Sequence, residues 1–229
     1  MPHATERSGS SAPVRRGRPR RGQELSREAL IDAAIAVIRD EGPNALTTGR
    51  LARHVGITQS GFYAHFANLD ACLAAVGTRL DEEVRRPIAD GMVGLRASDP
   101  SDPRELTAYF ETLFDLVVER AVLRDLFLPY RGDRSDVGRL LAACEADLVK
   151  DLTRHLLAIS EPVAAGEGAQ ATGRAMARML IAQTFAIIDA WQRGEVDRAA
   201  GTRLLAEQTA LLGMSAHAAG LIHPGQSRG

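Results

Sequence analysis

The run LTTGRLARHVGITQSGFYAHF, residues 46–66, restricts this chain more than any other stretch of it. Apolar residues recur at helical spacing on both sides of Gly56, and each run is only about two turns long. The pattern predicts two short helices, over 48–54 and 59–66, joined by a turn in which Gly56 adopts a positive φ without steric cost. Helices this short are unstable alone in water, so something must pin them from behind. Leu51, Ala52 and Val55 supply an inward edge, Ile57 plugs the turn, and Phe62 and Phe66 anchor the second helix. The backing comes from a predicted helix over 26–39, with an apolar stripe of Leu30, Ala33, Ala34, Val37 and Ile38. Ser26 is its expected cap, and Gly42 with Pro43 its stop.

Helical spacing persists to the end of the chain. Asn68 is expected to cap a helix that continues toward residue 96, with Pro87 bending or breaking it. Further helices are expected over about 103–119, 120–129, 135–159, 168–193 and 196–213, with one break at Pro129. No β-branched alternation of period two occurs. The expected fold is all-α. A basic arm without regular structure (1–23) leads into a three-helix helix-turn-helix domain (24–76). An α-helical ligand-binding and dimerisation domain (77–214) and a frayed tail (215–229) follow.

Charge separates the two ends. The net charge of -1 says little by itself. Residues 1–80, however, hold 11 Arg and no Lys against 7 Asp or Glu, whereas residues 81–229 hold 17 basic and 22 acidic groups. A positive head suits phosphate, and an acidic body suits solvent. The densest positive stretch is RRGRPRR, with Arg15, Arg16, Arg18, Arg20 and Arg21 around Gly17 and Pro19. Such a segment can lie along a narrow A·T-rich minor groove, or it can simply raise nonspecific affinity. Cys72 and Cys144 form no paired motif and suit small buried apolar groups. Neither an apolar leader nor a run of 18 apolar residues is present, so a cytoplasmic protein without a membrane partner is expected.

With its apolar side pinned, the helix beginning at Gln59 would turn Gln59, Ser60, Gly61 and Ala64 outward. These are small or capable of hydrogen bonding, as entry into a major groove requires. Gln59 can pair with adenine through two hydrogen bonds. Thr48 and Thr58 stand at helix starts, where hydroxyl and backbone N–H groups both suit a phosphate. An ordinary αα-hairpin in a bundle would show the same "helix, Gly, helix" pattern, but without the polar outer face and the adjacent charge.

These residues carry a resemblance. Gly56-Ile57-Thr58, Tyr63-Ala64-His65-Phe66, Leu51-Ala52 and Ala33-Ala34 with Gly42 resemble the DNA-binding domain of the TetR family of bacterial transcriptional regulators, over about residues 26–76. The resemblance implies phosphate contacts from Thr48, Thr58, Tyr63 and His65, with Gln59, Ser60 and Gly61 toward the bases. There are two departures from the family pattern. Leu69 stands where the family often has a phosphate-holding Lys, and Ser60-Gly61 differ from its usual order inside the recognition helix. The arm resembles the core of an AT-hook and the arms of some TetR regulators.

The resemblance also implies a homodimer formed by the last two helices, over residues 170–212. Its candidate interface residues are Met179, Gln183, Ile187, Trp191, Leu204, Leu205, Leu211 and Leu212. Two-fold pairing would double the site read on DNA and set the half-site spacing. Between head and interface, a pocket for an unknown small apolar or amphipathic effector is expected from Tyr109, Phe110, Leu113, Phe114, Leu126, Phe127, Cys144, Leu148, Met176 and Phe185. No catalytic motif, metal-ligand spacing or cofactor loop is visible, so no catalytic residue and no metal or cofactor is expected. The leading expectation is a ligand-responsive repressor released from a palindromic operator. A transcriptional activator, a ligand-independent regulator and a nucleoid-type architectural DNA binder are the alternatives.

Overall fold

The computed structural model describes residues 21–96, 102–159 and 167–218. Arg15, Arg16, Arg18 and Arg20 lie outside the described residues. Helix α1 spans Arg21–Glu41, so Arg21 opens a helix instead of closing an arm, and Ser26 sits inside that helix instead of capping it. Leu30, Ala34 and Ile38 are fully buried on its inner side, with Ile31, Ala33 and Val37 almost as enclosed. Gly42 leaves the helix at φ 85°, and a single tight turn follows over Pro43–Ala45.

Helix α2 spans Thr48–Val55 and α3 spans Gln59–Tyr63. Between them Gly56 sits at φ 76° and ψ 26°, left-handed backbone that closes α2. The second helix is shorter than its apolar spacing suggests. Past Tyr63 the chain tightens, with the Ala64 N–H donating to the Gly61 carbonyl and the His65 N–H to the Phe62 carbonyl. Phe66 still reaches the core, because Arg27 of α1 covers its ring at 5.0 Å. Helices α2 and α4 (Leu69–Leu80) both pack on α1, and α3 packs on α2. Asn68 caps α4 as expected, its side-chain oxygen accepting from the Ala71 N–H at 2.8 Å.

Pro87 does not break the next helix. The chain passes from α4 through one wide π-helical turn, Asp81–Arg85, into α5, Arg86–Arg96. The Arg86 N–H reaches back five residues to the Asp81 carbonyl. Widening the turn there accommodates Pro87, which has no N–H to donate, near the start of α5. The result is one long strut linking head to body.

The body holds α6 (Pro103–Glu119), α7 (Leu128–Tyr130), α8 (Asp136–Ile159), α9 (Glu167–Gln192) and α10 (Arg198–Ala218). A second π-helical segment, Val122–Phe127, precedes α7. Pro129 therefore lies within α7 and does not end the element, and α10 extends past Ser215, where a tail was expected. Helix α8 lies along α9, and α10 along α6 and α9. Gly91 permits close approach of α5 and α6, since a Cβ there would stand 2.9 Å from the Tyr109 ring.

Head and body meet at the Val122–Phe127 segment, which packs against both α1 and α4. Arg39 of α1 reaches Asp125 at 3.6 Å. Arg79 of α4 binds Glu28 and Asp32 of α1, and Arg85 binds Asp81 and Asp151 of α8. The Arg124 guanidinium first, and Arg39 with it, holds the Asp125 carboxyl below its usual range. Burial pushes the Cys72 and Cys144 thiols up to about 11, so both remain protonated at neutral pH. No helix among the described residues is long and apolar enough to cross a membrane.

The turn at Gly56 generates one expectation. Space is open around it, so Gly56→Ala meets only the backbone penalty of left-handed geometry, about 1–2 kcal/mol. Urea unfolding at neutral pH should show a loss of that size, and an unchanged midpoint would contradict the assigned turn.

Candidate functional site

Two sites emerge, a polar face on the head and a cavity in the body. The head face is built on capped helix starts. The Thr47 side chain caps α2, accepting from the Arg50 N–H at 3.2 Å, and Thr58 caps α3, accepting from the Gly61 N–H at 3.1 Å. The cap is Thr47, and its neighbour Thr48 is the first residue of α2, as the expected start at 48 has it. Its hydroxyl accepts instead from the Gln59 side-chain amide, at 3.1 Å. The Ser60 hydroxyl turns back onto the Thr58 hydroxyl at 2.9 Å.

Phe62 is fully buried, while its neighbour Tyr63 is 52% exposed. Gln59, Ser60 and Ala64 are exposed, and Thr48, Gly61 and His65 are half-buried. The expected outward residues of 58–65 thus share one solvent-facing surface. Packing does not explain Gly61, because a Cβ there would meet Ile57 and Thr58 at an ordinary 3.4 Å. Arg53 and His54 are also exposed at the end of α2.

The cavity has a volume of about 120 Å³ and lies among five helices. Helix α5 gives Ile88, Met92 and Leu95, and α6 gives Leu106, Tyr109, Phe110 and Leu113. Helix α8 adds Leu148, Leu152, His155 and Leu156, α9 adds Leu180, Ile181, Thr184 and Phe185, and α10 adds Thr209. Of the residues expected to line it, Tyr109, Phe110, Leu113, Leu148 and Phe185 do so. Phe114, Leu126, Phe127, Cys144 and Met176 do not. Phe114 stacks edge-on with Trp191 at 5.0 Å, and Phe127 stands behind Phe185 at 5.5 Å. Leu126 is fully buried, Met176 is nearly so, and Cys144 is half-buried against the core.

The cavity wall carries few polar atoms. The Thr184 hydroxyl donates to the Leu180 carbonyl at 2.7 Å. The Thr209 hydroxyl is buried and has no hydrogen-bond partner among the described residues. Burial raises the Tyr109 phenol above its ordinary range. His155 and Met92 also border a second space of about 310 Å³ lined by Arg85, Arg86, Ala89, Asp90, Val93, Asp151 and Arg154. Sequence reasoning missed α5 as a wall and passed over His155, Thr184 and Thr209. The single apolar face of α5 was legible, but not which helices it would meet.

The residues expected at a subunit interface divide into two sets. Met179, Leu204 and Leu211 are exposed, and Met214 joins them at 62%. Leu205 is wholly enclosed within the subunit, so it packs the core rather than an outer face. Ile187, Trp191 and Leu212 are half-buried against that core, and Gln183 is half-buried with its amide nitrogen enclosed.

Comparison with known proteins bears on both ends. The family model described as "Bacterial regulatory proteins, tetR family" matches residues 30–76. The class C tetracycline repressor protein of Escherichia coli is 43% identical over 53 residues, which are 23% of this chain and 24% of that protein. The matched part therefore spans about a quarter of that curated relative. SmeT, repressor of the multidrug efflux pump SmeDEF of Stenotrophomonas maltophilia, superposes with TM-score 0.56 at 22% identity, covering 90% of this chain and 98% of SmeT. FadR of Thermus thermophilus, a TetR-family repressor solved with lauroyl-CoA, gives TM-score 0.50 at 18% identity over 89% of this chain and 99% of its own. Likenesses at such identities speak for the fold alone. It is the head that carries the match: residues 30–76 match the N-terminal domain of the TetR family of bacterial regulatory proteins.

Proposed function

We propose that this chain is a homodimeric, sequence-specific DNA-binding transcriptional regulator, a repressor released from a palindromic operator by a small, largely apolar ligand. One observation carries the reading. In a TetR-family head, the short helix α3 is buried on its Phe62 side and leaves Gln59, Ser60 and Tyr63 facing solvent. A surface helix held from behind with a small polar outer side is what a major groove accepts. Thr48, Thr58, Tyr63 and His65 are then the phosphate contacts, and Gln59, Ser60 and Gly61 face base edges. Arg15, Arg16, Arg18 and Arg20 of the arm, with Arg21 at the start of α1, add counterion-releasing contacts.

The cavity supports the effector part. An enclosed apolar space with an unsatisfied hydroxyl on its wall suits a compact apolar body with one hydrogen-bonding group. SmeT has been solved with triclosan and FadR with lauroyl-CoA, both ligands with large apolar parts. Phe185 connects this wall to the head. Arg131 lies over its ring at 4.9 Å while binding Asp189, and Phe127 backs it from the segment that touches α1 and α4. A ligand that repositions Phe185 biases the head through those contacts, and binding to the operator falls by population shift.

Selection of bound duplexes from a random pool tests the reading, with a symmetric consensus expected. A pool that emerges unselected would end it. Gly61→Ala should leave the fold as stable or raise it by up to about 1 kcal/mol, since alanine fits and favours a helix. The same variant should bind the selected duplex at least several-fold more weakly if backbone approaches DNA there. Equal affinity would remove Gly61 from the interface.

The exposed apolar stripe on α9 and α10 is the proposed two-fold face. Replacing Met179 and Leu211 together by glutamate should yield a folded monomer by sedimentation; a dimer that persists would place the interface elsewhere. Thr209→Val removes a buried hydroxyl on the cavity wall that has no partner among the described residues. Its effect is expected on ligands bearing a hydrogen-bonding group, read by calorimetry, with affinity for matched hydrocarbons unchanged. Equal losses for both ligand types would assign Thr209 a packing role.

A further inference from the structure

Gln59 and Thr48 belong to different helices, eleven residues apart, yet their side chains are joined: the Gln59 amide nitrogen donates to the Thr48 hydroxyl at 3.1 Å. A primary amide carries two N–H donors and one carbonyl acceptor. With one N–H committed to Thr48, Gln59 is left with one donor and one acceptor. That pair matches the major-groove edge of adenine, whose N7 accepts and whose N6 amino group donates. Guanine shows two acceptors there, N7 and O6, and needs two donors. In the orientation found, the tie to Thr48 turns the carbonyl and one N–H outward; the reversed amide, accepting from the Thr48 hydroxyl instead, would present two N–H groups and suit guanine.

The neighbouring side chains sharpen this assignment. Ser60 is turned back onto Thr58, and Gly61 has no side chain to offer. Gln59 is exposed and keeps one donor and one acceptor beyond its bond to Thr48. Thr48 is not the cap of its helix, because Thr47 performs that task. Its hydroxyl is free of that task and holds Gln59 in addition to the phosphate contact proposed above.

We propose that Thr48 is a positioning residue that fixes the Gln59 amide in its adenine-reading orientation, and so sets one base of each half-site. The proposal rests on the reading of the head as a DNA-binding surface and adds a base and a residue to it. It also implies that part of the ordering cost of the glutamine is met before DNA arrives, which favours the matched base over alternatives.

The test is selection from random duplexes with full-length wild type, Gln59→Ala, Thr48→Val and Thr48→Ser, each first checked for a cooperative melt. Wild type should select an adenine in each half-site that Gln59→Ala no longer selects. Thr48→Val should lower the adenine-over-guanine preference at that position by about five-fold or more, within the range one bidentate pair supplies. The other consensus positions should keep their preferences. Thr48→Ser restores the hydroxyl and should restore the preference; if valine unfolds the head, Thr48→Ala replaces it.

An adenine preference unchanged in Thr48→Val overturns the proposal. So does a Gln59-dependent guanine in the wild-type consensus, which would mean that the amide faces the other way. A wild type that selects no sequence brings down the DNA-binding reading itself, and no Gln59-dependent position would then exist. The two failures are therefore distinguishable.

Discussion

The head depends on the contact between α1 and the two short helices it supports. Helices α2 and α3 are too short to persist alone, and their hydrogen bonds are retained because Leu51, Ala52 and Phe62 are buried in the same core as Leu30, Ala34 and Ile38. Fully burying side chains of this size contributes about 1.5–3 kcal/mol each, well above the few tenths that surface ion pairs add. The outer face of α3 is free to stay polar because the inner face alone holds the element in place. Structure and proposed function divide along one helix by the side on which each residue falls.

The junction between head and body rests on the same balance. Arg79 with Glu28 and Asp32, Arg39 with Asp125, and Arg85 with Asp81 and Asp151 join elements far apart in sequence. Each pair is at least partly exposed, so each orients its helices more than it stabilises them. The apolar segment Val122–Phe127 carries the contact proper, buried through Val122, Leu123, Leu126 and Phe127. A π-helical segment has fewer well-formed backbone bonds than an α-helix, which makes it a natural place for two packings of similar energy. Both π-helical segments lie at this junction and touch each other. Phe127 brings the junction to the back of the cavity wall.

The cavity is small for the ligands such sites commonly hold, which fall in the range of about 300–1,000 Å³. A second, more polar space shares His155 and Met92 with it and is bordered by Arg86 and Arg154. An apolar and a charged surface therefore meet at that histidine.

Much of the architecture was legible in the residues. Helical spacing located the bounds of α6 and α8 almost to the residue, and the Gly56 turn and the Thr58 and Asn68 caps follow from local chemistry that any isolated segment would share. Where legibility failed, the missing information was long-range. The Pro87 rule is local, but the π-helical turn that evades it is held by packing on α8 and on the second π-helical segment. That the Thr48 hydroxyl meets Gln59 of another helix is likewise beyond what neighbouring residues show. Pocket and core residues look alike in sequence because both are apolar at the same spacing. Phe114 and Phe110 differ only in what α10 and α9 place beside them.

The sequence by itself determined that this chain is helical throughout its described length, that a short pinned helix exposes Gln59 and Tyr63, and that its positive charge gathers at one end. Those properties reside in neighbouring residues and in periodicity. Only the tertiary structure decided that Leu205 belongs to the core while Leu204 and Leu211 face outward, that five helices leave a cavity with Thr209 on its wall, and that Thr48 holds Gln59. Each of these depends on which helices cross and at what angle, and crossing is set by the packing of many side chains at once.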